Sequence, residues 1–379
     1  MPAAITGRAM LTCLGDLEST FAALADGRTG VGPLRYGLPD KLNVLAGYHI
    51  GTSSAEGPAQ ATGWLTHCVS AALRDAGVDP GTSRVNVVVG TGLRELRTVE
   101  HGHLDGTQVT GNQLHFRRAV RAAVPGVREV HTLAGACAAS GYALALAMDM
   151  LELGEADAVV AAGCDAMTES MLAIIGRVGE RPADMVRPFD TARGGAQLGE
   201  GAVAVVLQAG ATERAYGLVR GVGLTCDAKH ETAPDQNGIV AAMRDAYARA
   251  GLGPERIDLV LAHGTGTALN DPTEAAALAE VFGADGPTVT GIKGAIGHTS
   301  GSAALMSTLV ALETIREKAV PPVVGLRTPI EEARSLRLVH PERPVTQVTE
   351  VAQVNAFGFG GVNAVTIVQA PQRPGRGDG

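Results

Sequence analysis

The sequence predicts an α/β protein built from two similar halves, each a largely buried sheet covered by helices. Short apolar runs alternate with helical patterns along the chain, which is typical of sheets covered on both faces. Segments of the first half also return in the second half at constant spacing. Aromatic residues make up only 3% of the chain and glycine contributes 50 residues, so the predicted core depends on small side chains and close backbone contacts.

The repeat keeps register over separate blocks. The recurring segments are Ala76–Pro80 and Val89–Gly92, each found again 174 residues later, and Val205–Ala209, found again 161 residues later. A connection of different length, around 95–113, accounts for the two spacings. The 161-residue spacing aligns Cys137 with His298. We therefore expect a nucleophile type and a base type at equivalent positions of a duplicated scaffold, although two Ala-, Gly- and Val-rich segments can also match by chance.

The hydrophobic patterns predict the elements in order. In the first half we expect an opening strand, helices at 17–25, 62–76, 113–124 and 142–153, and strands at 85–89, 129–133, 158–163 and 205–209. In the second half we expect a linker at 221–237, helices at 238–250 and 303–315, and strands at 257–262 and 366–370. The predicted units are residues 1–215 and 216–370, followed by a disordered tail at 371–379.

Bulk properties exclude several classes of protein. The net charge of −8, without a basic run, argues against nucleic-acid binding. The sequence has neither a signal-like N-terminus nor an apolar stretch long enough to span a membrane, so we expect no membrane association and a cytoplasmic location. The five cysteines lack metal-ligand spacing, and we expect no metal site and no bound cofactor.

Three segments carry reactive side chains. Cys137 follows a small-residue loop and precedes a helix, where unpaired N–H groups favour a thiolate. His263 follows an apolar strand, and His298 follows Lys293 by five residues. The glycine-rich segment Asn355–Gly361 brings backbone close to a reacting centre, and an N–H there, paired with that of Cys137, predicts an oxyanion hole. Each segment alone also fits a purely structural role.

Together these motifs resemble an elongating β-ketoacyl-(acyl carrier protein) synthase of the thiolase superfamily, over nearly the whole chain. The matching segments are Cys137 in its loop, Arg187–Asp190, His263–Thr267 with Asp271 and Glu274, Lys293 with Gly297–His298, and Gly358–Gly361. The resemblance implies the thiolase fold, with two βαβαβαββ halves in a five-layer α-β-α-β-α sandwich. It also implies decarboxylative condensation of a Cys-bound acyl chain with a malonyl unit.

The resemblance assigns a role to each matching residue. It implies that Cys137 accepts the acyl chain, that His263 and His298 stabilise the malonyl enolate, and that Lys293 orients the second histidine. The N–H groups of Cys137 and Phe359 would form the oxyanion hole. Thr265 and Thr267 match residues that bind the pantetheine arm of an acyl carrier protein, and Phe359 with Phe357 matches the gate of the acyl pocket.

Departures from the family pattern favour specialised biosynthesis, such as that of polyketides, over housekeeping fatty-acid synthesis. Ser307 stands where fatty-acid enzymes carry a glutamate, and Gly176 stands where they often carry a bulky residue. Around the nucleophile the run is Cys-Ala-Ala-Ser rather than the polyketide-type Cys-Ser-Ser-Ser.

Two other functions stay open at this stage: an acyltransferase or cyclase that does not decarboxylate, and a non-catalytic partner of a ketosynthase heterodimer. The retained histidines argue against the first and the retained cysteine against the second. Expected partners are an acyl carrier protein and either a second copy or a ketosynthase-like subunit. Arg117, Arg118 and Arg121 are the candidate carrier contacts, although a basic helix face is more often only solvated.

Overall fold

The computed structural model describes residues 1–35, 43–51, 59–106, 108, 110–178, 182–210, 214–283 and 285–371. Apart from Pro371, the predicted tail lies outside these residues. The architecture is two six-stranded sheets with helices between and outside them.

The first half forms sheet one. Its main strands are β1 (Ala3–Thr12), β2 (Val85–Thr91), β3 (Val130–Ala134), β4 (Ala158–Asp165) and β5 (Gly201–Ala209). They lie in the order β1-β5-β4-β2-β3, and a two-residue strand, Gly15–Asp16, extends the β1 edge. β2 is parallel to β3 and β4, whereas β5 is antiparallel to β1 and β4.

The second half forms sheet two with the same topology. Its main strands are β6 (Gly217–Cys226), β7 (Leu259–Leu261), β8 (Thr288–Thr290), β9 (Val351–Gly358) and β10 (Val362–Gln369). They lie in the order β6-β10-β9-β7-β8, with Arg337–Leu338 added beside β8. The remaining short strands pair as Gly32–Pro33 with Ala46–Gly47 and as Ala319–Val320 with Val345–Thr346.

Helices cover and separate the sheets. They are α1 (Leu17–Ala25), α2 (Gln60–Ala76), α3 (Leu96–Asp105), α4 (Arg117–Ala123), α5 (Ala139–Glu152), α6 (Glu169–Val178), α7 (Gln236–Ala250), α8 (Asn270–Phe282), α9 (Lys293–Ile296) and α10 (Ala303–Glu317). α5 and α10 contact both sheets, α2 packs on the outer face of sheet one, and α7 packs on that of sheet two. Every residue of α10 from Ala303 to Ile315 is buried, as expected for a helix in a central layer. The five-layer duplicated fold predicted above is therefore confirmed.

Two predicted elements differ from the structure. The helix predicted at 113–124 is a short 3₁₀ turn, Gly111–Leu114, followed by α4. Most of β6 falls in the region predicted as a linker, because its glycines suggest a loop. The structure gives these glycines another purpose: a Cβ on Gly223 would lie 2.1 Å from the Ala242 carbonyl oxygen, so glycine lets α7 pack directly on the strand.

The predicted equivalence of Cys137 and His298 is wrong by three residues. Both central helices follow a 3₁₀ turn whose first residue is left-handed: Ala136 has φ +47° before α5, and Ser300 has φ +48° before α10. These turns superpose in sequence when the spacing is 164, which pairs Cys137 with Gly301. His298 precedes the turn of its own half.

Candidate active site

The nucleophile candidate lies on a strained turn between β3 and α5. Ala136 adopts a left-handed conformation that is uncommon for residues other than glycine, and Cys137 follows it within the 3₁₀ turn Ala136–Ala138. Across the turn, Gly358 at the end of β9 comes so close that a Cβ there would lie 3.2 Å from the Cys137 nitrogen. The turn therefore presents the sulfur to the interface between the two halves.

Parallel strands bring the partners of Cys137 to one edge of sheet two. His263 lies two residues after β7, Lys293 lies three residues after the neighbouring β8, and Phe357 lies near the end of β9. The carboxyl ends of these strands share one edge, so their side chains converge. His298 follows α9, and its backbone N–H donates to the Gln197 carbonyl at 2.8 Å.

The structure brings together the four residues predicted to carry chemistry. His298 Nε2 lies 2.9 Å from Cys137 Sγ, and the rings of His298 and His263 meet edge to face with centroids 5.3 Å apart. Lys293 Nζ lies 3.2 Å from His263 Nδ1 and also donates to the His263 carbonyl oxygen. The hydrogen bonds of Lys293 are thus made to the first histidine rather than the second.

The contact with Lys293 sets the tautomer of His263. An ammonium group only donates, so His263 Nδ1 accepts and the ring proton resides on Nε2. Burial lowers the pKa of both His263 and His298 well below the usual range, and the positive charge of Lys293 lowers both further. Two neutral imidazoles therefore stand beside the sulfur, and His263 presents an N–H donor.

Cys137 is a thiol in this environment. Burial raises its pKa to about 11, although the charge of Lys293 and the backbone N–H of Phe359 act in the opposite direction. The expectation that the helix start favours a thiolate is outweighed by burial. A nucleophile of this kind depends on a neighbouring base, and His298 Nε2 is in hydrogen-bonding position.

Lys293 has carboxylates nearby even though Ser307 replaces the family glutamate. Burial lowers the pKa of Lys293 to about 8, and the charges of Glu274 and Asp271 limit that fall. Glu274 accepts from the His263 N–H at 2.7 Å and from the Asn355 side chain at 3.0 Å. The same carboxylate thus fixes the histidine loop and supports the ammonium group.

The remaining predicted residues surround this cluster. Phe357 is buried with its ring centroid 5.6 Å from that of His263, whereas Phe359 is 44% exposed. The hydroxyl oxygens of Thr265 and Thr267 are 3.0 Å apart. Arg117, Arg118 and Arg121 lie on the exposed face of α4, where Arg117 and Arg121 pair with Glu129.

Asp165 is a buried residue that the sequence reasoning missed. It ends the apolar strand β4, and a charged residue at a strand end is the same signal that identified His263. Within the described ranges, no group of His, Cys, Asp and Glu side chains is arranged to hold a metal ion. Among the same residues, every helix is too short or too polar to cross a bilayer.

Replacing Lys293 with methionine is expected to raise the pKa of Cys137 by about one unit, because the nearby positive charge is lost. Alkylation of Cys137 by iodoacetamide should then slow about tenfold at pH 7. The difference should shrink above pH 8, where the wild-type lysine itself loses its proton. The exposed Lys318→Met variant is the control, and an unchanged pH profile in Lys293→Met would contradict this reading.

Comparison with known proteins agrees with this geometry. A family model described as the β-ketoacyl synthase N-terminal domain matches residues 2–213, and one described as the C-terminal domain matches 216–327. Nodulation protein E of Rhizobium meliloti (strain 1021) is 31% identical over 392 residues, covering 95% of this chain and 97% of the relative. The 3-oxoacyl-[acyl-carrier-protein] synthase 2 of Mycobacterium tuberculosis (strain H37Rv) is 29% identical and covers 95% of both chains.

A solved structure, the ishigamide ketosynthase/chain length factor, superposes with a TM-score of 0.87 at 28% identity, covering 97% of this chain and 99% of the other. Fold and site define a thiolase-fold enzyme of the acyltransferase class. The chain belongs to the β-ketoacyl synthase family.

Proposed function

We propose that the protein is an elongating β-ketoacyl synthase that joins an acyl chain on Cys137 to a malonyl unit carried by an acyl carrier protein. The observation that carries the proposal is the 2.9 Å contact between Cys137 Sγ and His298 Nε2, with a second neutral imidazole edge-on beside it. A thiol, a base and a fixed N–H donor are the groups that both half-reactions require.

The first half-reaction loads the enzyme. His298 Nε2 takes the proton of the Cys137 thiol, the sulfur attacks the carrier thioester, and the new Cys137–acyl bond forms as the pantetheine thiolate leaves. That thiolate receives the proton from His298. The N–H groups of Cys137 and Phe359 face the oxyanion that forms during the transfer.

The second half-reaction extends the chain. The malonyl carbon–carboxylate bond breaks, CO₂ leaves, and the electron pair becomes an enolate whose oxygen accepts hydrogen bonds from His263 and His298. Its carbon attacks the Cys137 thioester, a carbon–carbon bond forms, and the cysteine leaves as a thiolate that takes up one proton from solvent. Thr265 and Thr267 would hold the pantetheine arm, and Phe359, next to Phe357, would gate the acyl pocket.

Specialised biosynthesis is the context we propose. Ser307 lies on the buried helix α10 where fatty-acid enzymes carry glutamate, and the ishigamide ketosynthase/chain length factor is 28% identical over nearly the whole chain. β3 also ends sheet one with its outer edge unpaired within the described chain, which suits pairing with a second copy or with a related subunit.

Intact-protein mass spectrometry tests the proposal. The wild type and Cys137→Ala are mixed with a panel of acyl carrier proteins and then with malonyl carrier. We expect acyl mass on the wild type alone, followed by CO₂ release and a β-ketoacyl product two carbons longer. Acylation without elongation would favour the acyltransferase alternative, and the absence of acylation would favour a non-catalytic subunit.

Reversing the charge of Arg117, Arg118 and Arg121 to glutamate is expected to raise KM for carrier-bound substrate about tenfold at low salt, because acyl carrier proteins are acidic. The effect should shrink as ionic strength rises. Activity with coenzyme A thioesters should change less than about twofold. Glutamate at the exposed Arg244 and Arg334 is the control, and an equal loss with both substrates would exclude α4 as the docking surface.

A further inference from the structure

The duplicated fold contains a second, non-reactive counterpart of the proposed oxyanion hole. The registers of the last two strands are the same in both halves: β4 pairs Ala158 with Gln208, and β9 pairs Val351 with Gln369. Each of these strands is eight residues long, so their final residues, Asp165 and Gly358, are equivalent.

The two sites differ at their central positions. At the active site, the Cys137 N–H faces Gly358, which has no side chain. At its counterpart, the Gly301 N–H faces Asp165 and donates to Oδ2 at 2.7 Å. The counterpart therefore holds a built-in carboxylate where the active site leaves space for an oxygen of the substrate.

Asp165 ties the two halves together beside His298. Its carboxylate is buried and also accepts hydrogen bonds from the first half: from the Thr91 hydroxyl at 2.7 Å, the Gly92 N–H at 3.0 Å and the Leu93 N–H at 2.6 Å. Gly301 belongs to the second half and lies three residues after His298. Sheet one thus grips the segment that carries the base of the active site.

We propose that Asp165 is a positioning residue, whose bond to the Gly301 N–H holds the 298–301 segment so that His298 meets the Cys137 sulfur. The proposal takes the oxyanion-hole role of Cys137 and Phe359 from the proposed function, but the contact between His298 and Cys137 stands without it. The donors around the carboxylate lower the pKa of Asp165, which burial raises to about 6, so the group is an anion at neutral pH.

The substitution Asp165→Asn separates positioning from charge. Asparagine can keep its oxygen toward Thr91 and Leu93, but its amide hydrogens would then face the Gly301 N–H, and two donors would repel. Loss of the negative charge alone lowers the pKa of Cys137 and speeds its alkylation, because Asp165 raises that pKa. Displacement of His298 acts in the opposite direction, so the sign of the change distinguishes the two causes.

The experiment measures iodoacetamide alkylation of the Cys137 peptide from pH 6 to 9 in the full chain. Peptide resolution is needed because Cys226 is also exposed. We expect Asp165→Asn to slow alkylation about tenfold at pH 7, equivalent to one pKa unit, and to speed hydrogen exchange of the 298–302 amides. Thr91→Val, which removes a bond on the first-half side only, should leave both unchanged.

Alkylation at or above the wild-type rate in folded Asp165→Asn would overturn the proposal. If that variant does not fold, Asp165→Glu provides the test, because it keeps the charge and shifts the carboxylate; wild-type alkylation there would equally overturn it. Alkylation requires neither carrier protein nor malonyl group. Failure of the condensation assay in the wild type would therefore refute the proposed function and leave this test intact.

Discussion

Replacing His263 with alanine is expected to lower malonyl decarboxylation by about 10²–10³-fold while Cys137 still accepts acyl chains within about tenfold of the wild-type rate. Its Nε2–H is a donor to the enolate, whereas the base next to the sulfur is His298. Replacing His298 should lower both reactions, since its Nε2 lies 2.9 Å from Cys137 Sγ. Intact-protein mass spectrometry measures acylation, and labelled CO₂ release from malonyl carrier measures decarboxylation.

The exposed His67→Ala variant on α2 serves as the control, and its two rates should match the wild type. The prediction depends on the difference between the two site variants. Equal losses of acylation in His263→Ala and His298→Ala would contradict the division of roles. In His263→Ala the bond from Lys293 to the backbone carbonyl of residue 263 remains available, which limits collapse of the site.

Introducing aspartate at Gly358 is expected to abolish acylation of Cys137, lowering its rate at least about 10³-fold. The new carboxylate would meet the Cys137 N–H as Asp165 meets the Gly301 N–H in the counterpart site. It would fill the space for the substrate oxygen and place a negative charge beside the thiol. Mixing the variant with acyl carrier protein, followed by intact-mass measurement, checks the result.

Gly358→Ala gives a graded comparison. Its Cβ would lie 3.2 Å from both the Cys137 nitrogen and the Ala136 Cβ, which is tight but leaves part of the space open, so we expect a loss of about tenfold. Unfolding temperatures of both variants establish that they are folded. Wild-type acylation by folded Gly358→Asp would show that no substrate oxygen binds at this position.

The fold was predictable because duplication is written in the spacing of the apolar segments. The helices before β2 and β7 end at Ala76 and Ala250, each followed by a left-handed glycine, and these ends keep the 174-residue spacing read from the sequence. Secondary structure was harder to predict where glycines serve packing. β6 is the example, since its glycines admit α7 instead of forming a loop.

The site was predictable in its residues but not in its symmetry. Four residues separate β3 from α5, whereas twelve separate β8 from α10. The longer connection contains α9 and delivers Lys293 and His298, so a constant spacing across this region misaligned Cys137. Asp165 escaped prediction because its partner Gly301 is 136 residues away, and no local pattern reports such a bond.

The crossed contacts of the two 3₁₀ turns bear on how the chain folds. The Ala136 turn lies against Gly358 of the other half, and a Cβ on Gly301 would lie 2.3 Å from the Gly92 nitrogen of the first half. Left-handed residues such as Ala136 cost about 1–3 kcal/mol and persist only where their surroundings enforce them. Here each half enforces the turn of the other. The halves are therefore one cooperative folding unit, and the reactive conformation of Cys137 forms only when both are folded and joined.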